Sequence, residues 1–340
     1  MPIVYKVIIF CIFFTVLSLK AEQNVSDDIK LISNLYNEVL INSNQLKQEN
    51  LNFCENISSK SILVLRSKFH YALNAWMKIQ HIRFGPIQDF NAHSRIQFWP
   101  DKHAVSIRQL NKIIKQKNLE SLDPNNFTFK SVAIQGFPTL ETILYTKHED
   151  LLKGDKSQYL CDLTSSIIIN IITLIEDTLK IWEKDTSWQS YVSQTDLPVI
   201  VLGSIATQLN FINKYKILRP LGKTISKSNI KKLESWRSGR SLTNIIINLE
   251  SLQNHYEVFL ENNLKEHSFK VNQEIKVHFQ QAIKILKNLD MPLYKGIKFE
   301  NYREQLLLVS NEIFMLHEIF HTKAPAILNV TLGFNSLDGD

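Results

Sequence analysis

The chain has 340 residues, of which 44% are hydrophobic and 21% are charged, and glycine and proline occur only nine times each. This composition is typical of a folded globular protein, and the scarcity of turn-forming residues argues against an all-β fold. The formal net charge is +6, but the basic residues are scattered and form no stripe with interleaved aromatic residues. We therefore expect an all-α protein that does not bind nucleic acid.

The first 21 residues differ from everything that follows. Lys6 precedes an apolar run over residues 7–19, and Ala21 closes the segment. Because the run is too short to span a bilayer comfortably, it favours a cleaved secretory signal, with an uncleaved membrane anchor as the alternative. We predict export to the periplasm or cell envelope, with membrane contact only through this segment. The sequence does not indicate the oligomeric state.

Two cysteines, Cys54 and Cys161, follow the predicted signal. An exported protein folds in a compartment that permits disulfides. A free buried cysteine also behaves as an ordinary small apolar residue. Both interpretations therefore stay open at the level of the sequence.

Apolar residues recur at helical spacing along the rest of the chain. The predicted helices cover residues 26–48, 59–81, 103–117, 156–183, 197–218, 228–236, 241–264, 270–289 and 299–323. Helices of this length in antiparallel order predict bundles. We assign residues 22–190 to a first helical bundle and 191–340 to a second, and the absence of a low-complexity linker predicts that they pack closely.

One helical stretch, VAIQGFPTLETILY at residues 132–145, is interrupted by Gly136 and Pro138. Proline lacks an N–H and restricts the residue before it, so a break here frees backbone groups in the middle of a bundle. Glu141 follows the break directly. The segment is either an ordinary corner between two helices or the wall of a polar cleft.

The segment HEIFH at residues 317–321 matches the HExxH pattern. On a helix, His317 and His321 would share a face and could bind Zn²⁺, while Glu318 would act as a general base. No Glu or His follows, so a third ligand would be Asp338 or Asp340 or come from upstream. The alternative is a pair of half-buried or solvated histidines.

Five segments together carry a resemblance to a known family. They are RFGP (83–86), RIQFWPD (95–101), SVAIQG (131–136), RSGRSL (237–242) and GFNSLDGD (333–340). In this order and spacing they resemble the imelysin-like family of bacterial envelope proteins, also called peptidase family M75, over residues 30–340. The resemblance implies two related helical bundles packed together, export, and a link to iron regulation and metal uptake. It also implies a nominal metallopeptidase activity.

The metal motif of that family is G-x-H-x-x-E, and the matching residues here are Gly136, Pro138 and Glu141. Proline cannot bind a metal through its side chain, so the implied ligand pair is reduced to one carboxylate. We therefore expect a non-catalytic periplasmic binding protein linked to iron handling. Its cofactor stays unknown, with iron or zinc as the candidates, and a small organic ligand is the alternative partner.

We place the predicted binding cleft at the interface between the two bundles. Its predicted residues are Glu141, Trp99, Asp101, Arg237, Arg240, Asn335, Asp338 and Asp340. The arginines would bind anions or pair with these acids, although solvated arginines at a helix start are an equal alternative for 237 and 240. Two other functions stay open: a zinc metallopeptidase that uses His317, Glu318 and His321, and a structural or partner-binding envelope protein.

Overall fold

A computed structural model describes residues 3–184, 187–193 and 195–332, with side chains described from Ile29 onward. The described residues contain helices and no strands, which confirms the all-α prediction. The α-helices of the first half are α1 Ile3–Glu55, α2 Ser61–Ile79, α3 Ala92–Ile96, α4 Val105–Gln116, α5 Pro124–Phe127, α6 Phe137–Glu141, α7 His148–Leu152 and α8 Ser157–Glu183. A π-helix, Thr142–Thr146, and 3₁₀ turns at Gly85–Asn91, Glu120–Leu122, Val132–Ile134 and Ser187–Ser190 complete this half.

The second half has the same style. Its α-helices are α9 Leu197–Phe211, α10 Arg219–Leu221, α11 Ser241–Phe259, α12 Glu261–His267, α13 Phe269–Lys287, α14 Leu293–Gly296, α15 Glu300–Glu318 and α16 Ala324–Leu328. Two π-helices, Ile212–Leu218 and Ile319–Lys323, extend α9 and α15, and 3₁₀ turns lie at Ile225–Lys227 and Ile230–Lys232.

The long helices form two bundles that pack on each other. In the first, α1 packs against α2 and α8, and in the second, α15 packs against α9 and α13. Helix α11 contacts both α2 and α13, so it joins the bundles. One apolar core, made of the predicted helical stripes, is continuous through both. The two packed bundles confirm the predicted fold class.

Helix α1 is longer than the predicted helix over residues 26–48. It runs without interruption from Ile3 to Glu55, because this part of the sequence contains no glycine or proline. The predicted signal peptide therefore has helical backbone continuous with the first bundle. Its cleavage stays a prediction.

The two cysteines are joined. Cys54, near the end of α1, forms a disulfide with Cys161 in α8, and their Cα atoms are 5.9 Å apart. The bond crosslinks two helices that also pack through apolar side chains. The sequence left open whether these cysteines are paired or free, and in the structure they are paired.

One of the described helices, Ser157–Glu183, has the length and hydropathy of a membrane span. It is the central helix of the first bundle, and 72% of its most apolar stretch is buried inside the fold. Burial by protein explains its hydropathy, since a core helix satisfies the same criteria.

The prediction of a helix over residues 228–236 is wrong. This segment has a single 3₁₀ turn at Ile230–Lys232, followed by an irregular stretch in which Ser235 has φ +51°. Ile230, Leu233 and Trp236 are three residues apart, so they imitate a helical stripe. They pack on the core from an irregular backbone instead.

Candidate functional site

At the interruption within residues 132–145, the backbone of Gly136 lies in close contact with the backbone of Ile96. Gly136 is extended and precedes α6, whose first turn contains Pro138. A Cβ on Gly136 would lie 2.1 Å from the carbonyl oxygen of Ile96, so no larger residue fits. Helix α6 ends at Glu141 and continues as the π-helix, where Arg66 donates to the carbonyl of Leu144 at 2.6 and 3.0 Å. A side chain from α2 thus provides a hydrogen-bond donor for a backbone carbonyl of the π-helix.

Arg95 holds the segment before this break. Its guanidinium donates to Gln135 at 2.5 Å, to Thr128 at 2.6 Å and to Asn170 at 2.7 Å. Asn170 in turn donates to the backbone carbonyl of Gln135 at 3.1 Å. The arginine of the RIQFWPD segment therefore fixes the position of Gly136 and, through it, of the residues that follow.

A cavity of about 430 Å³ lies beside the break. Residues from 97–107 and 138–146 of the first half line it together with 231–237 of the second half. Pro138 and Glu141 belong to its wall, so the interrupted helix borders a cleft. Trp99 also lines the cavity, and the peptide bond between Trp99 and Pro100 is cis.

The carboxylate of Glu141 is buried, and the side chain is 3% exposed. Its Oε1 accepts hydrogen bonds from the Ser238 backbone N at 2.8 Å and from the Ser238 hydroxyl at 2.7 Å. Within the described part of the chain, Oε2 accepts none. Burial raises the pKa of Glu141, while the Ser238 hydrogen bonds and the charge of Arg237 act in the opposite direction. One oxygen is therefore held and the other is available to a ligand.

Arg237 also lines the cavity, and its guanidinium lies 4.7 Å from the centre of the Trp236 ring. Its Nε is buried without a partner, and among the described residues the side chain forms no hydrogen bond or ion pair. Burial lowers the pKa of Arg237, while the charges of Glu141 and Asp101 oppose that shift. The cavity thus contains a cation that no group in the described part of the chain neutralises by contact.

Asp101 and Trp99 also line the cavity, but both are engaged by the fold. The two carboxylate oxygens of Asp101 accept from the backbone N atoms of Val105 and Ser106 at 2.8 and 2.9 Å, so Asp101 caps α4. Trp99 packs edge-on against Phe211, with ring centres 5.7 Å apart. Asp101 therefore contributes charge to the cavity while its lone pairs are occupied.

Glu234, in the same wall, forms a buried ion pair with Lys216 behind it. Lys216 donates to Glu234 at 2.7 Å, to Gln80 at 2.8 Å and to Asn248 at 2.6 Å. Glu234, 2% exposed, also accepts from Gln97 at 3.0 Å. Burial lowers the pKa of Lys216, and the charge of Glu234 opposes this shift. The network links both halves of the chain, and sequence reasoning missed it because nothing in the local pattern distinguishes these residues from solvated ones.

The structure brings four of the predicted cleft residues to one cavity: Glu141, Trp99, Asp101 and Arg237. Arg240 does not line it and donates instead to the Asn74 side chain of α2. Asn335, Asp338 and Asp340 lie outside the described residues. Sequence reasoning also missed Ser238, although it belongs to the RSGRSL segment, because its role depends on the distant Glu141.

His317 and His321 are close to each other, but they form no metal-binding group of three or more ligands with other residues that the structure describes. Their rings stack with centres 5.2 Å apart, and His317 Nδ1 lies 3.4 Å from Glu318 Oε1. Helix α15 gives way to a π-helix at Ile319, so the pair spans a change in helical geometry. No residue of this segment lines the cavity.

The donor set that the described residues bring to the cavity does not fit a bare metal ion. Among the described residues, no group of three or more His, Cys, Asp or Glu side chains could hold one. Pro138 offers no donor, Glu141 has one available oxygen, and Arg237 contributes positive charge beside it. Metal sites in proteins require several convergent oxygen, nitrogen or sulfur ligands.

The family profile for imelysin, Peptidase_M75, matches residues 32–318. The chain belongs to the imelysin family. An imelysin-like protein from Psychrobacter arcticum 273-4 has a similar crystal structure, with a TM-score of 0.76 and 17% sequence identity over 92% of this chain and 98% of that one. A predicted iron-regulated protein A precursor from Parabacteroides distasonis ATCC 8503 matches with a TM-score of 0.71 and 13% identity over 88% and 94%. A search of curated proteins finds no match.

The imelysin match confirms the family suggested by the sequence segments. At these identities, the two crystal structures establish a common fold and no more. The imelysin motif position occupied here by Pro138 remains the main departure of this chain from the pattern expected for the family.

Proposed function

We propose that this imelysin-family chain is an exported, non-catalytic binding protein of the cell envelope that holds a small ligand in the cavity between its halves, in a role linked to iron. The observation that carries the proposal is a pair of groups in one cavity, Glu141 Oε2 and the guanidinium of Arg237, that form no hydrogen bond within the described residues. Buried polar groups are costly unless paired, so a buried carboxylate and a half-buried guanidinium at one partly open cavity favour a ligand.

Three further observations support the other parts of the proposal. The apolar run at residues 7–19 supports export. The similar protein from Parabacteroides distasonis is described as iron-regulated and as a precursor, which supports a link to iron and a processed N-terminus. Pro138, which stands in place of the family histidine, supports a non-catalytic role because it removes a metal ligand.

The test is native mass spectrometry, with metal analysis, of the untagged protein purified from the envelope. Thr146 is exposed and lines the cavity, so Thr146→Trp should fill its mouth. Thr322 is an exposed threonine in another π-helix, so Thr322→Trp is the matched control. We expect a bound small molecule on the wild type and on Thr322→Trp, and its loss from Thr146→Trp.

Two outcomes would reject the proposal. If no bound species depends on Thr146, a structural or partner-binding role is favoured. If zinc is present at near-stoichiometric level and is lost with His317→Ala, the zinc peptidase is favoured. Pro138→His provides a positive control, because an imidazole three residues before Glu141 shares its helix face and should add measurable zinc or iron binding.

A further inference from the structure

Two groups of the cavity wall, Glu141 Oε2 and the guanidinium of Arg237, form no hydrogen bond within the described residues. Gln97 Oε1 and the hydroxyl of Ser106 also lack a partner there, but both atoms are covered by protein, so a ligand in the cavity does not reach them. Because polar groups in folded proteins are nearly always paired with protein, water or ligand, the first two groups define the polar contacts of a ligand.

These two groups have opposite hydrogen-bonding chemistry. Arg237 is a donor and carries positive charge, so it requires an acceptor, and a planar carboxylate matches a guanidinium best. Glu141 Oε2 is an acceptor, so it requires an N–H or O–H donor. An ammonium group supplies such donors and also compensates the buried carboxylate. The cavity is therefore complementary to a molecule that carries both a carboxylate and an ammonium group.

The remaining wall combines polar side chains, at Asp101, Thr142, Thr146, Lys231, Glu234 and Ser235, with an apolar and aromatic part. Phe98, Trp99, Ile107, Leu233 and Trp236 belong to the apolar and aromatic part. The volume of about 430 Å³ lies within the range of small-molecule sites. An apolar side group on the ligand would be buried against these residues, whereas an entirely polar ligand would leave them in contact with water.

We infer that the cavity binds a free α-amino acid with an apolar side chain, or a close analogue, with its carboxylate at Arg237 and its ammonium at Glu141. This inference rests on the proposed binding function and names the class of ligand. A bare metal is disfavoured in this cavity, because Pro138 offers no donor and Arg237 repels a cation.

Isothermal titration calorimetry after exhaustive dialysis tests each end of the ligand separately. The probes are L-phenylalanine, L-phenylalaninamide, which lacks the carboxylate, and 3-phenylpropionate, which lacks the ammonium. We expect the wild type to bind phenylalanine about 10- to 100-fold more tightly than either truncated probe, since each loses a charged hydrogen bond. Zinc and Fe²⁺ serve as metal probes and should bind more weakly than phenylalanine.

Two variants test which residue binds the carboxylate of the ligand and which binds its ammonium group. In Arg237→Gln, phenylalanine and its amide should bind equally, and in Glu141→Gln, phenylalanine and 3-phenylpropionate should bind equally. Arg108→Gln is the matched control, because Arg108 is exposed and donates only to the carbonyl of His103. If Arg237→Gln does not fold, Arg237→Lys keeps the charge without the two-pronged geometry and should show an intermediate loss.

Equal binding of all three probes to the wild type, or binding by none of them, would overturn the inference. If none binds while mass spectrometry finds another molecule that Thr146→Trp displaces, only the ligand class is wrong and the binding function stands. If that molecule is also absent, both proposals fail.

Discussion

Acid should destabilise this fold through a buried pair of histidines. His81 and His255 are 2% and 0% exposed, and their rings meet edge-on with centres 4.3 Å apart. His255 Nδ1 lies 2.9 Å from the carbonyl of Ser251, so this nitrogen donates, and Nε2 has no partner among the residues that the structure describes. Burial lowers the pKa of His255 to about 4. Burial, the neighbouring His255 and the charge of Arg83 hold the pKa of His81 well below its ordinary value.

The direction of the pH effect on stability follows from the difference in histidine pKa between the folded and unfolded chains. An unfolded histidine titrates near pH 6.5, so between pH 7.5 and 4.5 the unfolded chain takes up a proton that the folded chain refuses. The stabilisation is therefore fully present above about pH 6.5 and is lost as the pH falls toward the folded pKa of about 4. With about 1.4 kcal/mol per pH unit, His255 alone should account for a loss of about 2.5 kcal/mol over this interval.

The assay is urea-induced unfolding, followed by tryptophan fluorescence, at pH 7.5 and pH 4.5. The change in unfolding free energy between the two pH values should be smaller by about 2.5 kcal/mol in His255→Gln than in the wild type. His103 is exposed, so His103→Gln should retain the wild-type pH dependence. An unchanged pH dependence in His255→Gln would show that this buried histidine does not control acid stability.

Three further changes test the framework of the site by urea unfolding. Replacing Cys54 and Cys161 by serine opens a crosslink that spans 107 residues and should cost about 3–5 kcal/mol, unless the unfolded chain stays compact without it. Glu234→Gln leaves the Lys216 ammonium buried beside a neutral group and should cost about 3–5 kcal/mol, and adding Lys216→Met should recover part of this loss. Gly136→Ala places a methyl group 2.1 Å from a backbone oxygen and should cost about 1–3 kcal/mol, whereas a neutral effect would contradict the close approach.

The helical fold could be predicted because burial imposes a periodicity that the sequence displays. Ile62, Leu65, Phe69 and Leu73 recur at helical spacing and are all buried in α2. The same criterion failed at residues 228–236, where apolar residues three apart lie on an irregular backbone. Periodicity reports which side chains are buried, and in a short segment an irregular loop can bury the same set.

The cavity could be predicted only in part, for a related reason. Gly136, Pro138 and Glu141 lie together in the chain, so a local rule about helix interruption identified them. Ser238 and Gln97 act through contacts with residues 97 and 137 positions away in the sequence. No local pattern encodes such contacts, because the packing of the two bundles creates them.

Pro138 and Arg237 both disfavour a bare cation in the cavity. Proline removes the imidazole that the imelysin motif would offer to a metal, and the guanidinium, which forms no hydrogen bond or ion pair within the described residues, adds positive charge to the same cavity. Either feature alone would weaken cation binding, but together they leave Glu141 as an acceptor whose best partner is a hydrogen-bond donor on a ligand that also carries an anion. A bare metal ion satisfies Glu141 and leaves Arg237 uncompensated, whereas a zwitterion satisfies both. The two kinds of ligand should therefore exclude each other in this cavity.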